Sequence, residues 1–104
     1  MITHVVLLQL KAGVRSEEVD AVLRQVQALQ TAIPGIMDVQ VGANSSANHR
    51  GYTYGFVMHF VDREHLKAYA PHPAHKIVSD ELVRICESII DFDLESEEAR
   101  ENAS

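Results

Sequence analysis

Within seven residues, Tyr69-Ala70-Pro71-His72-Pro73-Ala74-His75, the chain places one phenol and two imidazoles. These are general acid–base groups. A neutral imidazole, with an ordinary pKa of about 6.5, accepts a proton near neutral pH, and a phenol in a dry cavity donates to an oxygen that is gaining negative charge. Proline fixes its own φ and biases the residue before it away from helical angles, so Ala70-Pro71-His72-Pro73 predicts a rigid elbow between two helical segments. Tyr69 then ends one short helix, His72 takes an N-cap-like position, Pro73 is the first helical residue and His75 falls in the first turn of the next helix. His72 and His75 are also spaced to point two imidazoles at one metal, with Asp80 nearby. No cysteine pairing or recognised ligand string accompanies them, so neither a metal nor another cofactor is expected.

The elbow needs elements to hold it. Residues 2–10 are short, rich in β-branched residues and followed by Gly13, which argues a strand with His4, Val6, Leu8 and Leu10 on one face and Val5 and Leu7 on the other. Ser16 is the expected N-cap of a helix whose apolar stripe is Val19, Val22, Leu23, Val26, Leu29 and Ile33, with Glu17 and Glu18 suited to its positive end. Pro34-Gly35 stops it. A second strand, Ile36 to Val41, alternates Met37, Val39 and Val41 with Asp38 and Gln40. The small, polar stretch from Gly42 to Gly51 is a loop, with His49 expected in solvent. A third strand, Tyr52 to Val61, sets Tyr54, Phe56, Met58 and Phe60 opposite a phase containing Gly55, Val57, His59 and Val61. Asp62 caps the short helix that leads to Tyr69, with His65 expected in solvent. Beyond the elbow, Val78, Leu82, Ile85, Cys86 and Ile89 form a helical stripe, and residues 89–94 read as a closing strand. Residues 1–94 are thus one domain and 95–104 a polar, disordered tail.

Composition narrows the function classes. Apolar residues are 46% and charged residues 23% of the 104, an ordinary globular balance. The net charge of −6 and the lack of a Lys/Arg cluster argue against nucleic acid. No segment approaches the ~20 apolar residues of a membrane span, and the N-terminus has no basic region followed by a long apolar run. The chain is expected to be soluble and unprocessed. Cys86 is the only cysteine, which fits a reducing, cytoplasmic setting.

The order strand, helix, strand, strand, helices, strand is the ferredoxin-like split β-α-β arrangement, an α+β fold with a four-stranded antiparallel sheet and helices on one face. Helices cover one face only. The apolar residues on the second face predict a homodimer through that face, forming a barrel-like core.

His4, Ile33-Pro34-Gly35, Val41-Gly42-Ala43-Asn44, Gly51-Tyr52-Thr53, Phe60-Val61-Asp62 and Tyr69-x-x-His72-Pro73-x-His75 together resemble the stress-responsive dimeric A/B barrel (Dabb) domain over residues 2 to 94. The resemblance implies a dimeric α/β barrel. The family includes stress-induced plant proteins, bacterial members of unknown activity and plant polyketide cyclases that close a ring by aldol condensation. By resemblance to those cyclases, His75 is the base, Tyr69 the donor and His4 a further polar group at the same pocket.

An apolar pocket for a small hydrophobic or carbonyl-bearing ligand is expected to be lined by Val6, Leu8, Phe56, Met58, Leu66, Val78 and Ile89, with Val22, Leu23, Val26 and Cys86 from the helical stripes and His72 at the elbow. Two function classes follow. One is a binding or stress-protective module; the other is a cofactor-independent cyclase or lyase. Related dimeric barrels that act as cofactor-free monooxygenases or on haem rely on residues such as tryptophan, and this chain has none.

Overall fold

The computed structural model describes residues 1–96. The elements are β1 (Ile2–Leu10), α1 (Ser16–Ala32), β2 (Ile36–Ala43), β3 (Tyr54–Phe60), α2 (Arg63–Tyr69), α3 (Pro73–Ile85) and β4 (Cys86–Glu95). One antiparallel sheet has the order β2-β3-β1-β4. This is the expected ferredoxin-like fold.

The alternation in β1 sets the two layers. Ile2, His4, Val6 and Leu8 are buried beneath the helices, while Val5 and Leu7 lie on the other face. On β3, Phe56, Met58 and Phe60 share the helix side with them. All six apolar residues of the first helical stripe are buried, from Val19 to Ile33. Close approach of β1 and β3 requires Gly55, because a Cβ there would lie 2.6 Å from the Val6 carbonyl oxygen.

Several local readings change. Arg15, not Ser16, is the N-cap of α1, and its backbone N–H donates to Glu18 Oε1 at 3.3 Å. Met37 leaves the alternation of β2 because an irregularity lies between Ile36 and Asp38, so that Ile36 is buried and Met37 is exposed. β3 is shorter than predicted. β4 starts three residues early, because the Cys86 N–H closes the last turn on Leu82 and leaves Cys86 extended. Ala70 keeps helical angles although Pro71 follows it. His65 is half-buried against Gly35, whose φ of 90° needs glycine and where a Cβ would collide with the His65 ring. His49 is likewise half-buried, its Nδ1 accepting from the Gly51 N–H at 3.0 Å. β4 runs through Glu95, which pairs with Arg63, and the Ser96 N–H donates to the Met1 carbonyl. Residues 97–104 of the expected tail lie outside the described residues.

Candidate functional site

The elbow forms as two caps back to back. Tyr69 closes α2; the His72 side chain accepts from the Ala74 N–H at 3.1 Å as N-cap of α3, and Pro73 occupies the first turn. Because a backbone N–H only donates, His72 Nδ1 is the unprotonated nitrogen. His72 is thereby committed to the cap.

His75, one turn on, sends Nδ1 back to the Ala70 carbonyl oxygen at 2.9 Å. A carbonyl only accepts, so Nδ1 carries the proton and Nε2 of the neutral ring keeps its lone pair. His4 reaches the same state from the opposite wall. Its partner in register across β1 and β4 is Asp93, whose carboxylate lies 2.5 Å from His4 Nδ1. A carboxylate accepts, so Nδ1 carries the proton and Nε2 is the free nitrogen whenever the ring is neutral.

Tyr69 lies between the two imidazoles. Its ring centroid is 4.3 Å from that of His75, 5.8 Å from His4 and 5.0 Å from Phe60. The residue is 4% exposed, and burial holds its phenol well above the usual value of 10. It stays a donor throughout the neutral range. No hydrogen-bond partner for its hydroxyl exists among the described residues, yet no buried side-chain oxygen or nitrogen is left unsatisfied. The hydroxyl therefore reaches open space, in a cavity of about 520 Å³ between the helices and the sheet.

That cavity brings together His4, Tyr69 and His75. Of the expected apolar lining, Val6, Val26, Phe56, Leu66, Val78 and Ile89 are on its walls. Leu8, Met58, Val22 and Cys86 are buried in the core away from it, Leu23 borders a separate groove beside Tyr54, and His72 does not reach the cavity. Sequence reasoning omitted Lys67, Ser79, Leu82, Asp91 and Asp93. The two aspartates were legible as period two: Asp91 and Asp93 share the face of Ile89, while Ile90, Phe92 and Leu94 take the other.

A second, shallower hollow of about 280 Å³ lies on the uncovered face of the sheet, over Gly42 and Gly55 and flanked by Val5, Leu7 and Val57. It is lined by no titratable side chain. Among the described residues, one grouping has metal-ligand spacing, His4 with Asp91 and Asp93, whose ligand atoms lie within 4.8 Å of one another. The His4–Asp93 hydrogen bond joins two of the three, and Asp91 is brought to them by its position two residues from Asp93 on β4. No helix among the described residues is long and apolar enough to cross a membrane.

The family model described as "Stress responsive A/B Barrel Domain" matches residues 2–96. No curated protein matches the chain. A protein of Arabidopsis thaliana superposes with a TM-score of 0.86 at 24% identity, covering 92% of this chain and 95% of that one. A dimeric ferredoxin-like protein of unknown function from a Jannaschia species has a TM-score of 0.81 at 28% identity, covering 91% and 98%. A hydroxynitrile lyase from Passiflora edulis has a TM-score of 0.83 at 17% identity, covering 92% and 94%. The first and third likenesses are those of fold alone.

Proposed function

This chain belongs to the stress responsive A/B barrel (Dabb) domain family, and from that premise we propose that it is a homodimer, each copy of which binds a small, largely apolar carbonyl compound in the cavity at the elbow. The observation that carries this reading is the Tyr69 hydroxyl. It belongs to a buried residue, opens into the cavity without a protein partner among the described residues, and is set in largely apolar walls between two imidazoles whose Nε2 atoms are free in the neutral rings. A carbonyl oxygen is the acceptor it lacks. The dimer reading is supported by the exposed apolar residues Ile90, Phe92 and Leu94 on the uncovered face and by the dimeric Jannaschia protein. The single, buried Cys86 suits a reducing, cytoplasmic setting.

A second reading goes further, to an aldol-type cyclase or lyase. His75 Nε2 takes a proton from the carbon beside the carbonyl, and Tyr69 holds the enolate oxygen that results. The enolate carbon then attacks a second carbonyl in the same molecule, and the alkoxide formed recovers the proton from His75. The fixed tautomer of His75 and its 4.3 Å approach to Tyr69 favour this reading.

Both are tested with aryl ketones in deuterated buffer. Binding predicts NMR shifts at Tyr69 and His75; catalysis predicts exchange of the protons beside the carbonyl, lost in His75→Ala. Shifts without exchange leave the binding reading and remove the catalytic one. Absence of both removes the carbonyl site.

A further inference from the structure

The charged groups bordering the cavity are unequally compensated. Asp93 is paired with His4, and Lys67 lies 3.9 Å from Glu64. Asp91 has neither a hydrogen bond nor an ion pair among the described residues. It stands opposite Val6 in register, on the same strand face as Ile89, and a carboxylate oxygen of it lies within 4.8 Å of a His4 ring nitrogen and of the Asp93 carboxylate. With His4 neutral, Asp93 keeps its charge as well, so the uncompensated charge at the cavity is negative, and Asp91 is the carboxylate there that accepts no hydrogen bond among the described residues.

A carboxylate at the edge of a low-dielectric hollow raises the local concentration of cations and repels other carboxylates. The chain's net charge of −6 adds to that field. A second feature of the same hollow independently points to a ligand: the Tyr69 hydroxyl, on a residue 4% exposed, opens into the cavity with no acceptor among the described residues. Resting on the reading of this cavity as a carbonyl site, we propose that its ligand is a small carbonyl compound that also bears an ammonium group, Tyr69 receiving the carbonyl oxygen and Asp91 the ammonium. The apolar walls from Val26, Phe56 and Val78 take the hydrocarbon between the two.

The rest of the rim is consistent with this polarity. Lys67 is the only lysine or arginine there, and it is mostly exposed and held toward Glu64, away from the role of an anion receptor. A carboxylate-bearing ligand would have to enter past Asp91 and Asp93 and find no unpaired cation inside.

Three matched probes test the assignment: acetophenone, 4-(aminomethyl)acetophenone and 4-acetylbenzoate, which at pH 7 are neutral, cationic and anionic. Dissociation constants are measured by NMR titration of wild type and Asp91→Asn at low salt. Because Asp91 is exposed, the expected advantage of the cationic over the neutral probe is about threefold to tenfold, with the anionic probe weakest. Added salt narrows the spread, and Asp91→Asn removes the cation's advantage while the neutral probe binds as before. Equal affinities in wild type, or an order that survives Asp91→Asn, overturn the ammonium assignment and leave the carbonyl site standing. If acetophenone itself fails to perturb Tyr69 and His75, the carbonyl reading falls and takes this inference with it.

Discussion

The Nδ1 of His75 lies 2.9 Å from the Ala70 carbonyl oxygen, spanning the two prolines of the elbow. One hydrogen bond thereby does two things: it satisfies a carbonyl at the end of α2 and fixes which nitrogen of His75 carries the proton in the neutral ring. A structural role and the proposed chemical one meet in one side chain, and truncation separates them only if stability and ligand response are measured together.

For His75→Ala, the loss of one neutral hydrogen bond predicts a decrease in unfolding free energy of about 1 kcal/mol. Urea titration at fixed protein concentration measures it, since the stability of a dimer depends on that concentration. Ketone-induced shifts at Tyr69 should weaken at the same time. A loss above about 3 kcal/mol with ligand response intact would make His75 scaffold alone.

Tyr69→Phe keeps the ring against Phe60 and His4 and removes only the oxygen. Since that oxygen has no partner among the described residues, stability should change by less than about 1 kcal/mol, while ketone binding falls at least about fivefold. The phenol also predicts a pH effect. Its folded value is raised above 10, so its contribution to stability is complete below pH 10 and is lost as pH rises from there toward the folded value. In an absorbance titration, Tyr69→Phe should therefore not diminish the signal gained up to pH 10. A clear loss of that signal would mean that Tyr69 ionises without the rise that burial imposes.

His4 and Asp93 make the matching relation on the sheet side. Asp93→Asn replaces an acceptor with a group that can donate or accept, so the single tautomer of His4 becomes a mixture, read from its ring nitrogen shifts. Ketone affinity should fall by a smaller factor than in Tyr69→Phe, because Asp93 acts through His4. An unchanged tautomer would dissociate Asp93 from the site.

Asp62 accepts from the His65 N–H at 2.9 Å and lies 2.7 Å from the His65 ring nitrogen. Those bonds hold its carboxyl below its ordinary 3.8. A depressed folded value contributes stability that is present above pH 3.8 and is lost as pH falls below it. The stability gap between wild type and Asp62→Ala should thus be constant near neutrality and shrink below pH 3.8. A gap that ignores acid would assign the cap to geometry without charge.

The sheet, the helical stripes and the elbow were readable because each is a periodic or local signal. Alternation placed His4 with Val6 and Leu8, and two prolines placed His72 at a cap. Periodicity reports burial, however, and burial does not distinguish a wall from a core. Leu8 and Val6 share one face of β1, yet only Val6 borders the cavity. Met37 escaped because the irregularity after Ile36 inserts into β2 a residue with no partner on β3. Cys86 fits the helical spacing of Leu82 and Ile85, and only the cap on Leu82 reveals that the helix has already ended. Period two puts Asp91 and Asp93 on the face of Ile89, but only the register opposite Val6 and His4 shows that this face borders the cavity.

The uncovered face of the sheet yields the last test. Phe92 is 59% exposed, opposite Val5 in register and flanked on its face of β4 by Ile90 and Leu94. An isologous dimer closing over this face buries Phe92 twice, once from each copy. At about 2 kcal/mol for each aromatic side chain removed from water, Phe92→Asp should weaken the dimer by about a thousandfold. Sedimentation equilibrium over a range of concentrations reads the change, and far-UV circular dichroism checks that the monomer stays folded. A variant with an unaltered assembly mass would exclude this face as the interface, because a carboxylate cannot replace a buried phenyl ring at the centre of an apolar contact without cost.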